Sequence, residues 1–283
     1  MDVSIASSDL RVTVTETGAE LVRLQDRDGR DLLWNGDPTF WAGHAPLLFP
    51  IVGSNKGDRI LVDGKAYPMP RHGIARISRF KQTLGEPTRL HYPFEFSLEI
   101  LYEVVGHALE VRATVTNTGD TAMPVSFGFH PAICWPLPYG RPRHAHEIRF
   151  EQAEPFPVRR LEQGLLGQAR YKSPVVDGRL ALRDDLFDKD AVIFDQLLSR
   201  SVTYDAGSGP SIQVRFPEMP QLGIWSKAGA GFVCIEPWHG FASPVDFDDD
   251  LLKKPGMAVV QPASFKSFGM TILWHAAGRS LAE

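Results

Sequence analysis

Apolar and polar side chains alternate every second residue over several stretches of this chain, and few architectures accept that pattern. In Phe94-Glu95-Phe96-Ser97-Leu98-Glu99-Ile100 the even positions are apolar and the odd ones polar. Leu109-Glu110-Val111-Arg112-Ala113-Thr114-Val115-Thr116 repeats the alternation, and so does Ser211-Ile212-Gln213-Val214-Arg215-Phe216. Successive strand side chains point to opposite faces, so each segment reads as a half-buried antiparallel strand. Turn signals stand between them: Asp28-Gly29, Asp63-Gly64, Asn117-Thr118-Gly119-Asp120, Asp177-Gly178 and Gly207-Ser208-Gly209-Pro210. The 25 glycines and 22 prolines amount to about one residue in six, against roughly one in eight on average. That excess suits many strands joined by tight turns. No strand–helix–strand alternation appears, so an all-β fold of stacked antiparallel sheets is expected.

Length alone would allow two domains of ~150 residues, yet large β-sandwiches run past about 200 residues as one. No repeat, low-complexity linker or shift of composition marks a boundary, so a single domain over residues 1–283 is expected. Helix is expected only as short pieces, over residues 185–198 and for a turn or two in 243–253. The net charge of −4 carries no basic block, which argues against nucleic acid or an anionic membrane as partner. No apolar run reaches the ~18 residues of a membrane span, and Met1-Asp2-Val3-Ser4 lacks a signal-peptide profile. Two cysteines, Cys134 and Cys234, are too few for a disulfide scaffold. A cytoplasmic monomer or homodimer is the expectation.

Chemistry shows where the alternation breaks. In Ser126-Phe127-Gly128-Phe129-His130-Pro131 the phenylalanines share one face, and Ser126, Gly128 and His130 share the other. Gly128 is expected to leave open space beside His130, as a ligand groove requires. A core histidine satisfied by a backbone carbonyl is the alternative. In Gly231-Phe232-Val233-Cys234-Ile235-Glu236-Pro237-Trp238-His239-Gly240 an apolar strand delivers a carboxylate at its end. Glu236 is therefore paired, neutral or at a pocket lip, and a raised pKa would suit it to proton transfer. A salt bridge to an arginine is the structural alternative. His72, with Arg71 and Arg76 close by, forms a polar cluster in a loop after the apolar stretch Ala45–Gly53.

These segments together resemble the aldose 1-epimerase (galactose mutarotase-like) family, within it the bacterial LacX-type branch. The resemblance rests on APLLFPIVG (45–53), PRHGIAR (70–76), SFGFHPAI (126–133), LFDKDAVIF (186–194), LGIWSK (222–227) and FVCIEPWHG (232–240), which occur in the family's order. It implies a large two-layer antiparallel β-sandwich, the supersandwich, and cofactor-free interconversion of the α and β anomers of an aldose. By the FHPAI motif, His130 matches the general acid that protonates the ring oxygen. By the IEPW motif, Glu236 matches the base that takes the C1 hydroxyl proton. His72 matches a second histidine that orients the sugar, with Arg76 in the same motif, and Asp190 matches a carboxylate that binds sugar hydroxyls. Trp225 could stack on the apolar face of a pyranose. Two departures bear on the sugar: His239 replaces an expected aromatic and adds a titrating group beside Glu236, and Ser54 stands where relatives carry a basic residue.

Rival chemistries leave weaker traces. Cys134, His144, His146, Cys234 and His239 suggest a metal site, with His144 and His146 on one strand face, but no CxxC pair is present. No metal is expected. Asp246, Asp248 and Asp250 open like a calcium loop, yet Leu251 and Met257 stand where glycine and glutamate are required. No GxSxG elbow, P-loop or dinucleotide fingerprint occurs. A glycoside hydrolase built on Glu236 and Asp190 and a non-catalytic sugar-binding module remain alternatives. So does a phosphosugar substrate met by Lys56, Arg59, Arg71 and Arg76.

Overall fold

The computed structural model describes residues 2–80 and 86–277. Strands take 44% of the chain and helices 7%, with none of seven residues or more among the described residues, so the fold is all-β. Two antiparallel sheets carry it. One has seven strands, in the order Arg179–Ala181, Glu147–Phe150, Ser201–Asp205, Ser211–Arg215, Phe265–His275, Ala108–Asn117 and Phe96–Val105. The other has six: Val192–Phe194, Gln221–Trp225, Phe232–His239, Phe127–Phe129 and Leu47–Leu48 in order, with Ala132–Cys134 also paired to Phe232–His239. A separate three-stranded sheet is formed by Asp2–Ala6, Leu10–Thr15 and Leu21–Asp26.

Side-chain parity decides what each face does. In Ala108–Asn117, Leu109, Val111, Ala113 and Val115 are buried while Glu110 and Arg112 are exposed, as the alternation predicts. Phe127, Phe129, Leu222, Ile224, Val233 and Ile235 point from the six-stranded sheet into the same core. There Phe127 stacks on Phe268 at 5.2 Å, and Phe150 meets Phe194 at 5.1 Å, joining the two sheets. A buried side chain of this size contributes about 1.5–3 kcal/mol. The intervening residues, Gly128, Gly223, Trp225, Cys234, Glu236 and Trp238, therefore face away from the core.

Tight turns fall where Asp-Gly pairs announce them. Asp63 and Gly64 have φ of 49° and 74°, and Asp177 and Gly178 of 49° and 71°. Both pairs close two-residue hairpins, Val62 facing Lys65 and Val176 facing Arg179, the arrangement a type I′ turn supplies. The expected helices are corrected. Residues 185–198 hold only a 3₁₀ turn, Asp184–Phe187, and then the strand Val192–Phe194. Asp190 turns left-handed at φ 63°, and the β-branched Val192 and Ile193 pair with Ile224 and Gly223, which ends helical geometry. Residues 243–253 hold only the 3₁₀ turn Leu251–Lys253, capped by Asp250 Oδ1, which accepts from the Leu252 N–H at 2.9 Å.

Lys254, just beyond, is 3% exposed and donates from Nζ to the Phe241 carbonyl at 2.6 Å, tying down the segment that follows the Glu236 strand. Burial pushes its ammonium from 10.5 down to about 7. Between these values the unfolded chain holds a proton that the folded chain releases, so this group makes stability rise with pH. Lys254→Met is expected to remove from the pH 7–10.5 window a stability change on the order of 4 kcal/mol. Urea midpoints of both proteins across that window measure it; an unchanged slope would contradict it.

Candidate active site

The outward face of the six-stranded sheet floors a cavity of about 310 Å³, a volume at the small end of the small-molecule range. All six residues singled out from the sequence line it: His72, Arg76, His130, Asp190, Trp225 and Glu236. They come from five separate chain segments and from both strands and loops.

Glu236 does not sit at a strand end as expected. The strand runs on to His239, with His239 facing Phe127 and Trp238 facing Gln221, so Glu236 lies mid-sheet and 2% exposed. Gly128 does not leave open space either. A Cβ there would lie 2.7 Å from Trp238 Cδ1, and one at Gly223 would lie 2.4 Å from Trp238 Cη2. The two glycines are seats for the Trp238 indole, which lies across three neighbouring strands and forms part of the cavity lining.

His130 follows the Phe127–Phe129 strand and is 7% exposed. Its Nε2 lies 3.1 Å from Glu236 Oε2, while Nδ1 has no hydrogen-bond partner among the described residues. The ring is held by packing, 5.0 Å from the Trp41 ring and 5.8 Å from that of His72. Burial drives the His130 imidazolium down to about 3, with Arg71 and Arg76 adding to the effect. Burial likewise pushes the Glu236 carboxyl well above the usual carboxylate value, against the opposing pull of Arg71. Burial thus favours the neutral form of both groups, whose Nε2 and Oε2 atoms face each other.

His72 has a left-handed backbone, φ 66°, a conformation that costs energy and clusters at functional sites. The following Gly73 is required, since a Cβ there would lie 2.1 Å from the Phe49 carbonyl oxygen. The His72 Nδ1 accepts from the Gly53 N–H at 3.1 Å. Burial and the nearby His130, Arg71 and Arg76 hold the ring well below its usual pKa. Its Nε2 lies 3.1 Å from the Arg71 Nε–H. Asp190 is the other non-glycine residue of the lining with a left-handed backbone. Its Oδ1 accepts from the Ala191 N–H at 2.8 Å, and its carbonyl accepts from Arg160 at 2.6 Å.

Trp225 and Trp41 meet edge to face at 5.6 Å and give one wall of the cavity an aromatic surface. Trp41 was not legible as a site residue, because it lies in a loop without alternation. Its place is fixed by Trp34 Nε1, which donates to the Trp41 carbonyl at 2.8 Å, and by the Glu20 carboxylate, which accepts from the N–H groups of His44 and Ala45. Trp238 did carry a signal, since it shares strand parity with Glu236 (positions i and i+2).

Other expectations are corrected. His239 has the opposite parity, faces Phe268 at 5.5 Å and lies outside the lining; it adds no titrating group beside Glu236. Ser54 also lies outside the lining, which Arg71 joins instead. His144 and His146 do not share a strand face. His144 is in the 3₁₀ turn Arg143–Ala145, and His146 Nε2 accepts from the Leu137 N–H. The donors that do gather are His130, Cys234 and Glu236, within 4.8 Å of one another, a set that zinc would accept. Asp248 pairs with Arg59, and Asp249 with Lys253. Lys56 and Arg59 both point to Asp248, away from the cavity.

Comparison with known proteins identifies relatives in sequence and in fold. A family model described as aldose 1-epimerase matches residues 1–246. The protein LacX of Lactococcus lactis subsp. lactis is 31% identical, aligned over 96% of this chain and 100% of the relative. Among solved structures, the galactose mutarotase related enzyme from Lactobacillus acidophilus superposes with a TM-score of 0.89 at 30% identity, covering 98% of both chains. A galactose mutarotase-like protein from Lactobacillus casei gives a TM-score of 0.88 at 28% identity, covering 97% of this chain and 100% of the other.

Proposed function

The chain belongs to the aldose 1-epimerase family, and on that premise we propose that it interconverts the α and β anomers of a hexose by proton transfer between His130, Glu236 and the sugar. The observation that carries this reading is the buried acid–base pair, 3.1 Å apart, inside a cavity of about 310 Å³.

With a cyclic sugar bound, the pair acts as Glu236 carboxylate and His130 imidazolium. Glu236 takes the proton of the C1 hydroxyl while His130 gives one to the ring oxygen. The C1–O5 bond breaks and the open-chain aldehyde remains, with Glu236 protonated and His130 neutral. Rotation about C1–C2 presents the other carbonyl face. His130 then takes back the O5 proton, Glu236 returns one to the carbonyl oxygen, and the ring closes as the other anomer. Protons balance at every step, and neither nucleotide nor metal is needed. Burial favours the neutral pair, which is the form that accompanies the open-chain aldehyde. Neutral His72 and Asp190 hold sugar hydroxyls, and Trp225 offers its ring to the apolar sugar face.

A hydrolase would use a second carboxylic acid across the glycosidic bond, whereas Glu236 Oε2 lies 3.1 Å from a histidine nitrogen. Exchange NMR of glucose and galactose anomers tests the reading. The protein is expected to accelerate exchange well beyond buffer; sugar binding with exchange at the water rate would make it a binding module. The pH profile is a second test. An exposed histidine acid would titrate near 6.5. With His130 held far below that value by burial, kcat/KM is expected to stay within about threefold between about pH 5 and about pH 7. A fall in kcat/KM with rising pH centred near 6.5 would contradict the assignment.

A further inference from the structure

Cys234 is a nucleophilic side chain that the proposed reaction does not use. It lies on the strand Phe232–His239, two residues before Glu236, and residues at i and i+2 of a strand share a face. Ala132 pairs opposite Cys234, and the Ile235 N–H donates to the Pro131 carbonyl at 3.2 Å. These backbone bonds set His130 beside both side chains. His130, Cys234 and Glu236 thus offer nitrogen, sulfur and oxygen donors, all within 4.8 Å of one another and all buried. Cys234 is in no disulfide; it packs beside the cavity among Trp34, Ala132, Ala230 and Phe232. His130 and Glu236 line the cavity itself. The His130 Nδ1 has no hydrogen-bond partner among the described residues, although the residue is 7% exposed.

Zinc takes thiolate, imidazole and carboxylate ligands at about 2.0–2.3 Å, which places the donors of one tetrahedral ion about 3.3–3.8 Å apart. His130 Nε2 and Glu236 Oε2 are already 3.1 Å apart, and the whole set closes on an ion by shifts of about 1 Å. Charge fits as well. A thiolate and a carboxylate supply the two negative charges that answer a dication. The thiol and carboxyl protons leave for solvent as the sulfur–metal and oxygen–metal bonds form, so the filled site is as neutral as the empty one. That matters beside Arg71 and Arg76 in the lining, which would oppose an added positive charge. Three protein ligands leave the fourth position of the ion open to the cavity, for water. We propose that His130, Cys234 and Glu236 bind one zinc ion, or a divalent cation of like softness, and that the bound ion shuts off anomer exchange. The ion takes the lone pairs through which His130 and Glu236 carry protons, so ion binding and proton transfer exclude each other. The inhibition rests on the mutarotase reading; the binding does not.

Binding is measured first, without catalysis. Calorimetric titration of the metal-free parent with zinc chloride is expected to show a site that Cys234→Ser lacks, or binds at least about tenfold more weakly. Cobalt chloride is expected to give the parent, and not the variant, a thiolate-to-cobalt charge-transfer band. Serine is close to cysteine in size, and a thermal midpoint near that of the parent shows that the variant is folded. Cys234→Ala is a second variant with the same expected losses. Anomer exchange of glucose and galactose is then expected to fall at least about tenfold in the parent as zinc fills the site. The rate is expected to recover with EDTA and to ignore magnesium, which prefers an octahedral shell of oxygens. In Cys234→Ser, relative to its own metal-free rate, the zinc needed for the same loss is expected to rise at least about tenfold. Equal zinc affinity in parent and variants, a cobalt band that survives the substitution, or zinc that accelerates exchange would overturn the proposal. Zinc bound through Cys234 in a protein that exchanges no sugar would keep the site and remove the mutarotase. Exchange by a parent protein that binds no zinc would do the reverse.

Discussion

Replacing Glu236 by Gln is expected to slow anomer exchange by about 10²- to 10⁴-fold while leaving the fold intact. Glutamine matches glutamate in size, so the packing of a residue 2% exposed is preserved. Burial already favours the uncharged carboxyl, so an uncharged amide removes no charge that the fold depends on. The amide can still hydrogen-bond His130, yet it can neither take the C1 hydroxyl proton nor return it. A thermal midpoint close to that of the parent protein, together with the lost rate, separates lost chemistry from lost structure. Retained activity in this variant would mean that another group is the base.

Gly223→Val is expected to damage both stability and activity. A Cβ at this position would lie 2.4 Å from Trp238 Cη2, and the indole cannot settle elsewhere, because Gly128 provides its other seat at 2.7 Å. Forcing extra carbon into such packing costs about 1–3 kcal/mol, a fall of several degrees in Tm for a chain of this size. The displaced indole has only the cavity to enter, where it would crowd the sugar and lower kcat/KM by at least about tenfold. Gly119→Ala is the control: its Cβ would make an ordinary 3.4 Å contact with Glu95, and stability is expected to hold within about 0.5 kcal/mol. Equal effects of the two substitutions would show that the Trp238 seat is unimportant.

The fold was largely legible because period-two alternation is a direct record of which face each residue occupies, as Ala108–Asn117 illustrates. Asp63-Gly64 and Asp177-Gly178 were legible for a similar reason, since their backbone angles are demanding. The short strand Val192–Phe194 was not: buried on both faces, it has no alternation to display and was read as helix. At the site, His72, His130, Asp190 and Glu236 were found through motifs, but what surrounds them needed three dimensions. Gly128 was read as empty space because sequence cannot show that Trp238, distant along the chain, fills it. Trp41 reaches His130 from a loop whose course is set by hydrogen bonds to Trp34 and Glu20. His239 adjoins Trp238 in sequence, yet parity sends it to the other face.

The most direct test of the proton-shuttling pair is the rate of anomer exchange, by two-dimensional exchange NMR, in the parent protein, His130→Ala, Glu236→Gln and the double variant. If the two side chains act as one unit, each single substitution costs about 10²-fold or more and the double variant is little slower than either. If neither single substitution slows exchange by as much as about tenfold, the pair does not carry the reaction.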